Sequence, residues 1–147
     1  VGRRFQEVFS QLFGGGTAQI VLTDPDNILT GGIDFYIQPP GKKRQQLTLL
    51  SGGERALTVI ALLFSFLDYR PAPFCVLDEV DAALDEANVE RFSSYLNRVN
   101  KETQFIVVSH RKKTMEAAEV LQGVTMVERG VSRLLTVAFE DVKEDLA

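Results

Sequence analysis

Hydrophobic residues recur at helical spacing at the start of the chain. They lie on one face of a predicted helix, since their separations match the turns of an α-helix. Three glycines, Gly14, Gly15 and Gly16, then end the pattern, because glycine readily adopts the positive φ that helix ends require. We therefore predict a helix that ends near Phe13. Its apolar positions are Phe5, Val8, Phe9 and Leu12.

Two segments with alternating apolar and polar residues follow this helix. They occupy residues 17–23 and 33–38, and loops rich in glycine, proline and aspartate bound them. Alternation of this kind is typical of half-buried strands, so the two segments are predicted to form a β-ribbon. The basic loop at 39–44 is interpreted as a solvated connection, with phosphate contact as the alternative.

The centre of the chain alternates between strand and helix patterns. Residues 52–67 are apolar almost all round, which predicts a buried helix. Short apolar runs at 74–77 and 105–108 are typical of buried parallel strands, and the apolar stripe within 89–99 predicts an amphipathic helix between them. This order favours an α/β fold with a mostly parallel sheet and flanking helices.

The last third of the chain is predicted to contain one more helix and a hairpin. The helix is placed before Gly123, and segments 124–127 and 131–139 are predicted to pair as a closing β-hairpin around a Glu-Arg-Gly turn. The helix prediction depends on the apolar residues Met115, Ala118 and Leu121.

Composition is that of one globular domain without a strong charge. The 147 residues are 45% hydrophobic, and 16 basic against 20 acidic residues give a net charge of -4, so any DNA contact must come from local patches. The longest apolar run, 56–67, is too short to span a bilayer. Cys75, the only cysteine, is interpreted as a small buried hydrophobe. The chain opens without an initiator Met, and we interpret it as a fragment.

A short motif, residues 50–54, comes directly before the long apolar helix. Ser51 and Glu54 stand at the spacing of a capping box, in which each side chain bonds the other residue's backbone amide. Gly52 and Gly53 remove side chains from the first helical turn, so a phosphate could reach the amides at its positive end. The motif therefore predicts a helix cap, a phosphate contact, or both.

Two carboxylates end the first central strand. Asp78 and Glu79 directly follow the apolar run 74–77, and ligands of open α/β folds bind at the carboxyl ends of strands. Asp78 is expected to hold Mg²⁺, directly or through water, because that cation prefers oxygen ligands. Glu79 is then expected to act as general base for the attacking water. An exposed acidic turn without chemistry is the alternative.

The single histidine, His110, lies just past the second central strand at 105–108. A lone histidine is more often structural than functional. At this edge of the sheet, however, an imidazole could donate a hydrogen bond to a phosphate held beside Asp78. We therefore retain His110 as a candidate site residue.

The order and spacing of these motifs resemble those of the ABC-type ATPases. Residues 50–54 are similar to the signature motif, 74–79 to Walker B, 82–85 to the D-loop, and His110 to the switch histidine. The resemblance implies ATP and Mg²⁺ as cofactors, with Glu79 and His110 as catalytic residues and Asp78 as metal ligand. The nucleotide contacts it implies are Leu50, Ser51, Gly52, Gly53, Glu54, Asp81 and Asp85.

Within that superfamily, longer strings resemble the SMC (structural maintenance of chromosomes) proteins of bacteria. These strings are 50–58, 71–85 and 88–92. The resemblance implies that residues 14–147 form the C-terminal half of an ABC-type ATPase head. It also implies that residues 1–13 end a coiled-coil arm.

One motif of the complete ATP site is missing from the sequence. Walker A requires Gly-x-x-x-x-Gly-Lys-Ser/Thr, but Tyr36 and Lys43 occupy the first glycine and the Ser/Thr position around the only Gly-Lys pair. In SMC proteins this loop belongs to an N-terminal head segment. We therefore expect the chain to need that segment as a partner before it can hydrolyse ATP.

The resemblance also implies partners and a location. We expect a second SMC head that completes a homodimer, DNA, and the C-terminal winged-helix domain of a kleisin subunit that docks on the closing hairpin, 124–139. The implied role is chromosome condensation and segregation through DNA tethering or loop movement, in the cytoplasm at the nucleoid and without a membrane partner. The candidate DNA contacts are Lys42, Lys43, Arg44, Arg111, Lys112 and Lys113.

Two alternatives remain open from the sequence. The first is a head half of a coiled-coil DNA-repair ATPase, which residues 71–92 match less well than an SMC protein. The second is a non-catalytic interaction module that kept the ABC fold. Retention of Glu79 and His110 argues against the second alternative.

Overall fold

A computed structural model describes residues 1–99 and 103–138. Four helices and seven strands are assigned within these ranges. The strands form an antiparallel three-stranded sheet, a parallel pair and an antiparallel hairpin. In chain order the elements are α1 (Gly2–Phe13), β1 (Thr17–Leu22), β2 (Ile33–Gln38), β3 (Gln45–Gln46), α2 (Gly52–Tyr69), β4 (Phe74–Asp78), α3 (Glu86–Val99), β5 (Gln104–Val108), α4 (Lys112–Glu116), β6 (Val120–Glu128) and β7 (Val131–Ala138).

Helix α1 and the ribbon agree with the sequence prediction. The helix ends at Gly14, which adopts φ 71°, and β1 pairs with β2 in antiparallel register. Gln6 joins the two elements, because its side chain accepts a hydrogen bond from the amide of Ala18 at 2.7 Å and donates to the carbonyl of Gly16 at 3.2 Å. These bonds fix the helix against the start of the ribbon.

The hydrophobic core lies between α1, α2 and α3. Phe64 of α2 is its centre, with its ring stacked on Tyr95 at 5.0 Å between centroids and on Phe92 at 6.2 Å. Burial of each such side chain contributes about 1.5–3 kcal/mol. Helix α2 was predicted to be buried all round, but Phe66 and Tyr69 are 50% and 72% exposed. In this chain alone, α2 therefore buries one face and exposes the other.

The two central strands form the predicted parallel pair. Strand β4 aligns with β5 from Phe74 opposite Gln104 to Asp78 opposite Val108, and α3 connects them. The prediction that both strands are buried is wrong for this chain, since Val76 and Val108 are 55% and 50% exposed. Only the face towards α2 and α3 is covered. Cys75 is accordingly half-buried rather than buried, and its partial burial raises the pKa of the thiol.

The region before the closing hairpin differs from the prediction. Helix α4 ends at Glu116, and Leu121 belongs to β6 rather than to a helix that continues to Gly123. The backbone from Val120 onwards instead satisfies its hydrogen bonds by pairing with β7, in a register that begins opposite Ala138. The hairpin itself is confirmed and starts earlier than predicted. Its predicted last residue, Phe139, lies outside the described residues.

The fold class is confirmed as α/β. Parallel pairing within the described ranges is confined to β4 and β5, and the other strand pairs are antiparallel. Among the residues described, no helix is long and apolar enough to cross a membrane.

Candidate functional site

The start of α2 is a complete capping box. Ser51 is the N-cap residue, and its Oγ accepts a hydrogen bond from the amide of Glu54 at 3.4 Å. The Glu54 carboxylate accepts in return from the Ser51 amide at 3.2 Å and from the Ser51 hydroxyl at 2.8 Å. The cap predicted from the sequence is therefore confirmed, and it does not use the amides of Gly52 and Gly53.

The two glycines have different surroundings. A Cβ at Gly52 would meet no atom within 4 Å, so this side of the helix start is open. A Cβ at Gly53 would lie 3.3 Å from the carbonyl oxygen of Ala83. Leu50 is buried, at 4% exposure, and anchors the motif in the core. The signature motif thus packs on the D-loop through Gly53 and leaves Gly52 accessible to a ligand.

Lys42, in the loop after β2, forms an ion pair with Glu54 of the capping box. Its Nζ lies 2.8 Å from Oε1 of Glu54, while Oε2 of the same carboxylate bonds Ser51. The hydrogen bond from Lys42 lowers the pKa of Glu54, and the bonds from Ser51 lower it further against the opposing effect of burial. Sequence reasoning placed Lys42 in a solvated loop and missed this contact.

The two carboxylates of the Walker B motif lie at the end of strand β4. Asp78 is the last residue of β4 and is exposed. Glu79 has φ 47°, and it is the one residue other than glycine with positive φ in the described part of the chain. Its amide still donates to the carbonyl of Val108 at 2.9 Å. The backbone therefore turns sharply at Glu79 while the residue stays attached to β5.

The positive φ of Glu79 is unfavourable for a residue with a side chain. A side chain in the left-handed region costs about 1–3 kcal/mol unless the surroundings enforce it, and such residues cluster at functional sites. The amide of Ala82 donates to the carbonyl of Glu79 at 3.1 Å, which closes the turn. Glu79 is exposed at this turn. Its carboxylate is therefore presented at the carboxyl edge of the sheet.

His110 lies at the same edge. In the parallel register, Val108 of β5 is opposite Asp78 of β4, and His110 follows Val108 by two residues. Its side chain is exposed. The structure thus brings Asp78, Glu79 and His110 to one edge of one sheet, as expected from the ends of adjacent parallel strands.

The two remaining acidic candidates have structural contacts. Asp81 is fully buried, at 0% exposure, and its Oδ2 accepts hydrogen bonds from the hydroxyls of Ser109 and Thr114. Asp85 is exposed at the start of α3, where its carboxylate accepts from the Asn88 amide at 2.9 Å and from the Asn88 side chain at 3.2 Å. Their assignment as nucleotide contacts stays a prediction. The observed bonds give both residues a part in holding the D-loop.

Several of these partners carry no signal in the sequence. Ser109 and Thr114 follow Asp81 by 28 and 33 positions, so the contacts arise only from the fold. The Asp85 cap is different, because an acidic residue three positions before Asn88 is a recognisable helix start. That spacing could have identified it.

A magnesium ion at this edge would need further ligands from outside the described residues. In the described ranges no group of three or more His, Cys, Asp or Glu side chains is placed to hold a metal. Asp78 is a single exposed carboxylate at the end of a strand. Such a donor suits Mg²⁺, which usually keeps several waters and takes its remaining ligands from a bound nucleotide.

Solved structures with a similar fold include heads of SMC ATPases. The structure aligns with a solved chain described as "Structural biochemistry of ATP-driven dimerization and DNA stimulated activation of SMC ATPases", with a TM-score of 0.87 and 37% identity over 99% of this chain and 88% of that one. It also aligns with the Smc head domain from Pyrococcus furiosus that carries an extended coiled coil and is bound to the C-terminal domain of ScpA. That match has a TM-score of 0.87 and 38% identity, over 99% of this chain and 36% of that one. The fold is that of an ABC-type ATPase head.

The sequence identifies the family within that class. The family model described as the RecF/RecN/SMC N terminal domain matches residues 29–133. The chain is 63% identical over 140 residues to the chromosome partition protein Smc of Bacillus subtilis (strain 168). It therefore belongs to the SMC family. The alignment covers 95% of this chain and 12% of that relative, so the chain spans about an eighth of the length of the relative.

Proposed function

We propose that the chain is the C-terminal half of an SMC ATPase head, which binds and hydrolyses ATP at an interface between two heads. The observation that carries this proposal is the joint placement of Asp78, Glu79 and His110 at one sheet edge, with Glu79 on a turn of positive φ. ATP hydrolysis would drive chromosome condensation and segregation through DNA tethering or loop movement. The similarity to a chromosome partition protein supports this role.

The three residues at the sheet edge have separate proposed tasks. Asp78 would hold Mg²⁺, which neutralises phosphate charge when it is bound. Glu79 would accept the proton of the attacking water, since its exposed carboxylate stands directly after the metal ligand. His110 would donate a hydrogen bond to the terminal phosphate from the neighbouring strand. Each task uses a side chain that faces solvent in this chain.

The signature motif would complete the ATP site of the opposite head. Gly52 is open, and the capping box leaves its amide and that of Gly53 for an incoming phosphate. The positive end of the α2 dipole favours such an anion. The description of a related structure in terms of ATP-driven dimerization agrees with a site that two heads share.

The missing Walker A loop would come from an N-terminal head segment. The β4–β5 pair exposes apolar side chains on the face away from α2 and α3, including Phe74 at 59%, Val76 at 55% and Ile106 at 48%. The open face of α2 adds Phe66 and Tyr69. Apolar surface of this extent indicates a partner, and a segment that extends the sheet would cover it.

The kleisin and DNA would bind elsewhere. A related Smc head was solved bound to the C-terminal domain of ScpA, and we propose the hairpin β6–β7 as the corresponding surface, where Val124 and Leu134 are 69% and 67% exposed. For DNA, Lys43, Lys112 and Lys113 are the better candidates. The other three bond within the chain: Lys42 to Glu54, Arg44 to Gln19 and Arg111 to the D-loop backbone. The proposed location is the nucleoid, within the cytoplasm.

The ATPase activity of the chain with and without an N-terminal head segment tests this proposal. We expect no turnover from the chain alone, and Mg²⁺-dependent turnover after the two segments are combined. A segment whose Walker A lysine is replaced by alanine is the matched control. If combined heads bind ATP and form pairs but never hydrolyse the ATP, the chain is a non-catalytic module of ABC fold.

A further inference from the structure

A buried polar cluster joins the D-loop to the segment that carries His110. Asp81, directly before the D-loop, accepts hydrogen bonds through Oδ2 from Ser109, at 2.6 Å, and from Thr114. Asp81 and Thr114 are 0% and 5% exposed. Hydrogen bonds in such a water-excluded place are stronger than at the surface. The two segments are therefore held together firmly, although they are far apart in sequence.

Arg111 adds a second set of contacts between the same segments. Its Nη2 donates to the carbonyl oxygens of Leu84, at 2.9 Å, and Ala82, at 3.3 Å. Its backbone amide donates to Oγ of Ser109 at 2.9 Å. Ser109 thus accepts a bond from Arg111 and donates one to Asp81. The guanidinium of Arg111 holds the backbone of the D-loop, and its amide connects to the buried carboxyl group.

Stability alone explains this cluster poorly. Oδ1 of Asp81 and Nε of Arg111 are buried and have no hydrogen-bond partner among the residues described. A partly satisfied polar cluster costs free energy, and apolar side chains of similar volume often stabilise a fold as well or better. Such groups in a native structure call for a functional explanation. Asp81 and Arg111 lie close in sequence to the catalytic candidates Glu79 and His110, and this position supplies such an explanation.

Both ends of the cluster lie next to site residues. Glu79 opens the same loop as Asp81, and the amides of Ala82 and Leu84 donate within this loop to the carbonyls of Glu79 and Asp81, at 3.1 and 3.0 Å. On the other side, His110 is the residue between Ser109 and Arg111. A displacement of either segment is therefore transmitted to the other through bonded neighbours.

We propose that Asp81, Ser109, Arg111 and Thr114 form a D-loop clamp that positions Glu79 and His110 relative to each other. The D-loop and the His110 segment then move as one unit when heads engage. In this role Asp81 acts as a positioning residue and does not contact the nucleotide. The inference rests on the proposed function for its effect on ATP turnover, whereas the mechanical coupling is independent of ATP.

Hydrogen exchange of the assembled head tests the coupling. Thr114→Val removes one hydroxyl donor at nearly constant volume, and Arg111→Met removes the guanidinium but keeps an unbranched side chain. Both should accelerate exchange of the amides in 79–85 by about tenfold, since each change removes a hydrogen bond to a charged or buried group. Exchange within α2 should stay the same, which excludes general unfolding. The exposed Arg3, as Arg3→Met, is the control. Unchanged exchange at 79–85 in both variants would overturn the clamp.

Steady-state kinetics on the same variants test the positioning role. We expect kcat to fall by about tenfold or more in Arg111→Met, with KM for ATP within about twofold, because small misplacements of catalytic groups reduce the rate of the chemical step. Arg111→Lys, which keeps one donor, should recover part of the loss. A kcat equal to that of Arg3→Met would refute positioning. If the unchanged head lacks turnover, the proposed function fails, and exchange alone then decides the coupling.

Discussion

Glu79 shows at the scale of one residue how conformation and chemistry are connected. Its φ of 47° would suit glycine better, yet the position carries a carboxylate. The hydrogen bonds to Val108 and from Ala82 hold the residue in this conformation. A strained backbone that is enforced on both sides is typical of functional sites. The sequence predicted the role of Glu79 from its neighbours, whereas the strain could not be predicted without the fold.

We predict that Glu79→Gln in the assembled head lowers the rate of ATP hydrolysis by about 10²–10⁴, since the amide keeps the size but cannot accept the proton of water. ATP binding should be retained. Single-turnover kinetics with radiolabelled ATP measure this directly. Glu90→Gln, at an exposed position of α3, is the control and should leave the rate unchanged. Normal turnover in Glu79→Gln would remove Glu79 from the catalytic role.

A second prediction concerns the strain at the same residue. Glu79→Gly should leave the head about 1 kcal/mol more stable than Glu79→Ala, because only glycine adopts φ 47° without steric cost. Both variants lack the carboxylate, so the comparison isolates the backbone. Urea denaturation of the two heads gives the difference in the free energy of unfolding. Equal stabilities would show that the turn is not strained.

Local chemistry explains which predictions were confirmed, and contacts between elements explain which failed. Helix ends and alternating strands follow from local chemistry, so α1, the ribbon and the capping box of α2 were predicted correctly. The proposed helix through Leu121 failed because pairing with β7 overrides a weak apolar spacing. Full burial of Val76 was also wrong, since burial depends on the elements that cover a strand. Tertiary contacts of this kind have no local signal.

The ion pair between the ribbon loop and α2 gives a prediction with a defined pH dependence. Lys42 lowers the pKa of Glu54 below its ordinary value of 4.5. A lowered folded-state pKa stabilises the fold above the unfolded-state value, and this contribution is lost as the pH falls through the folded-state value. Lys42→Met should therefore lower the free energy of unfolding by about 0.5–1 kcal/mol at pH 7. Once the pH is below the folded-state pKa of Glu54, it should lower this free energy by almost nothing.

Chemical denaturation of the assembled head at a series of pH values between 7 and the onset of acid unfolding measures this effect. Lys43→Met is the matched control, because Lys43 is exposed and adjacent in sequence. A cost of Lys42→Met that stays constant with pH would show that packing of the side chain, and not its charge, stabilises the junction.

The whole molecule leaves several apolar faces open. The β4–β5 pair and α2 each expose apolar side chains, and the space beside Gly52 is open. Related SMC heads that align over 99% of this chain have the same fold. The sequence predicts a partner segment from the missing Walker A loop, and this need stays a prediction. It could not predict which faces are left open, because these depend on the packing of α2 and β4.

Ser51→Arg decides whether Ser51 and its glycines serve the ATP of the opposite head. A bulky cation at the N-cap removes the hydroxyl, blocks the approach beside Gly52 and opposes the positive end of the helix dipole. The measurement is ATP-dependent dimerisation of heads by analytical ultracentrifugation, with Glu79→Gln present to prevent turnover. Ser94→Arg, at an exposed position of α3, is the control.

We predict that dimerisation is lost in Ser51→Arg. A single head should still bind ATP with an affinity within about threefold of the unchanged head, or about 0.65 kcal/mol, because its own ATP site lies elsewhere. Dimerisation at the level of Ser94→Arg would leave Ser51 as an ordinary helix cap, and loss of ATP binding by the single head would place Ser51 in the site of its own head.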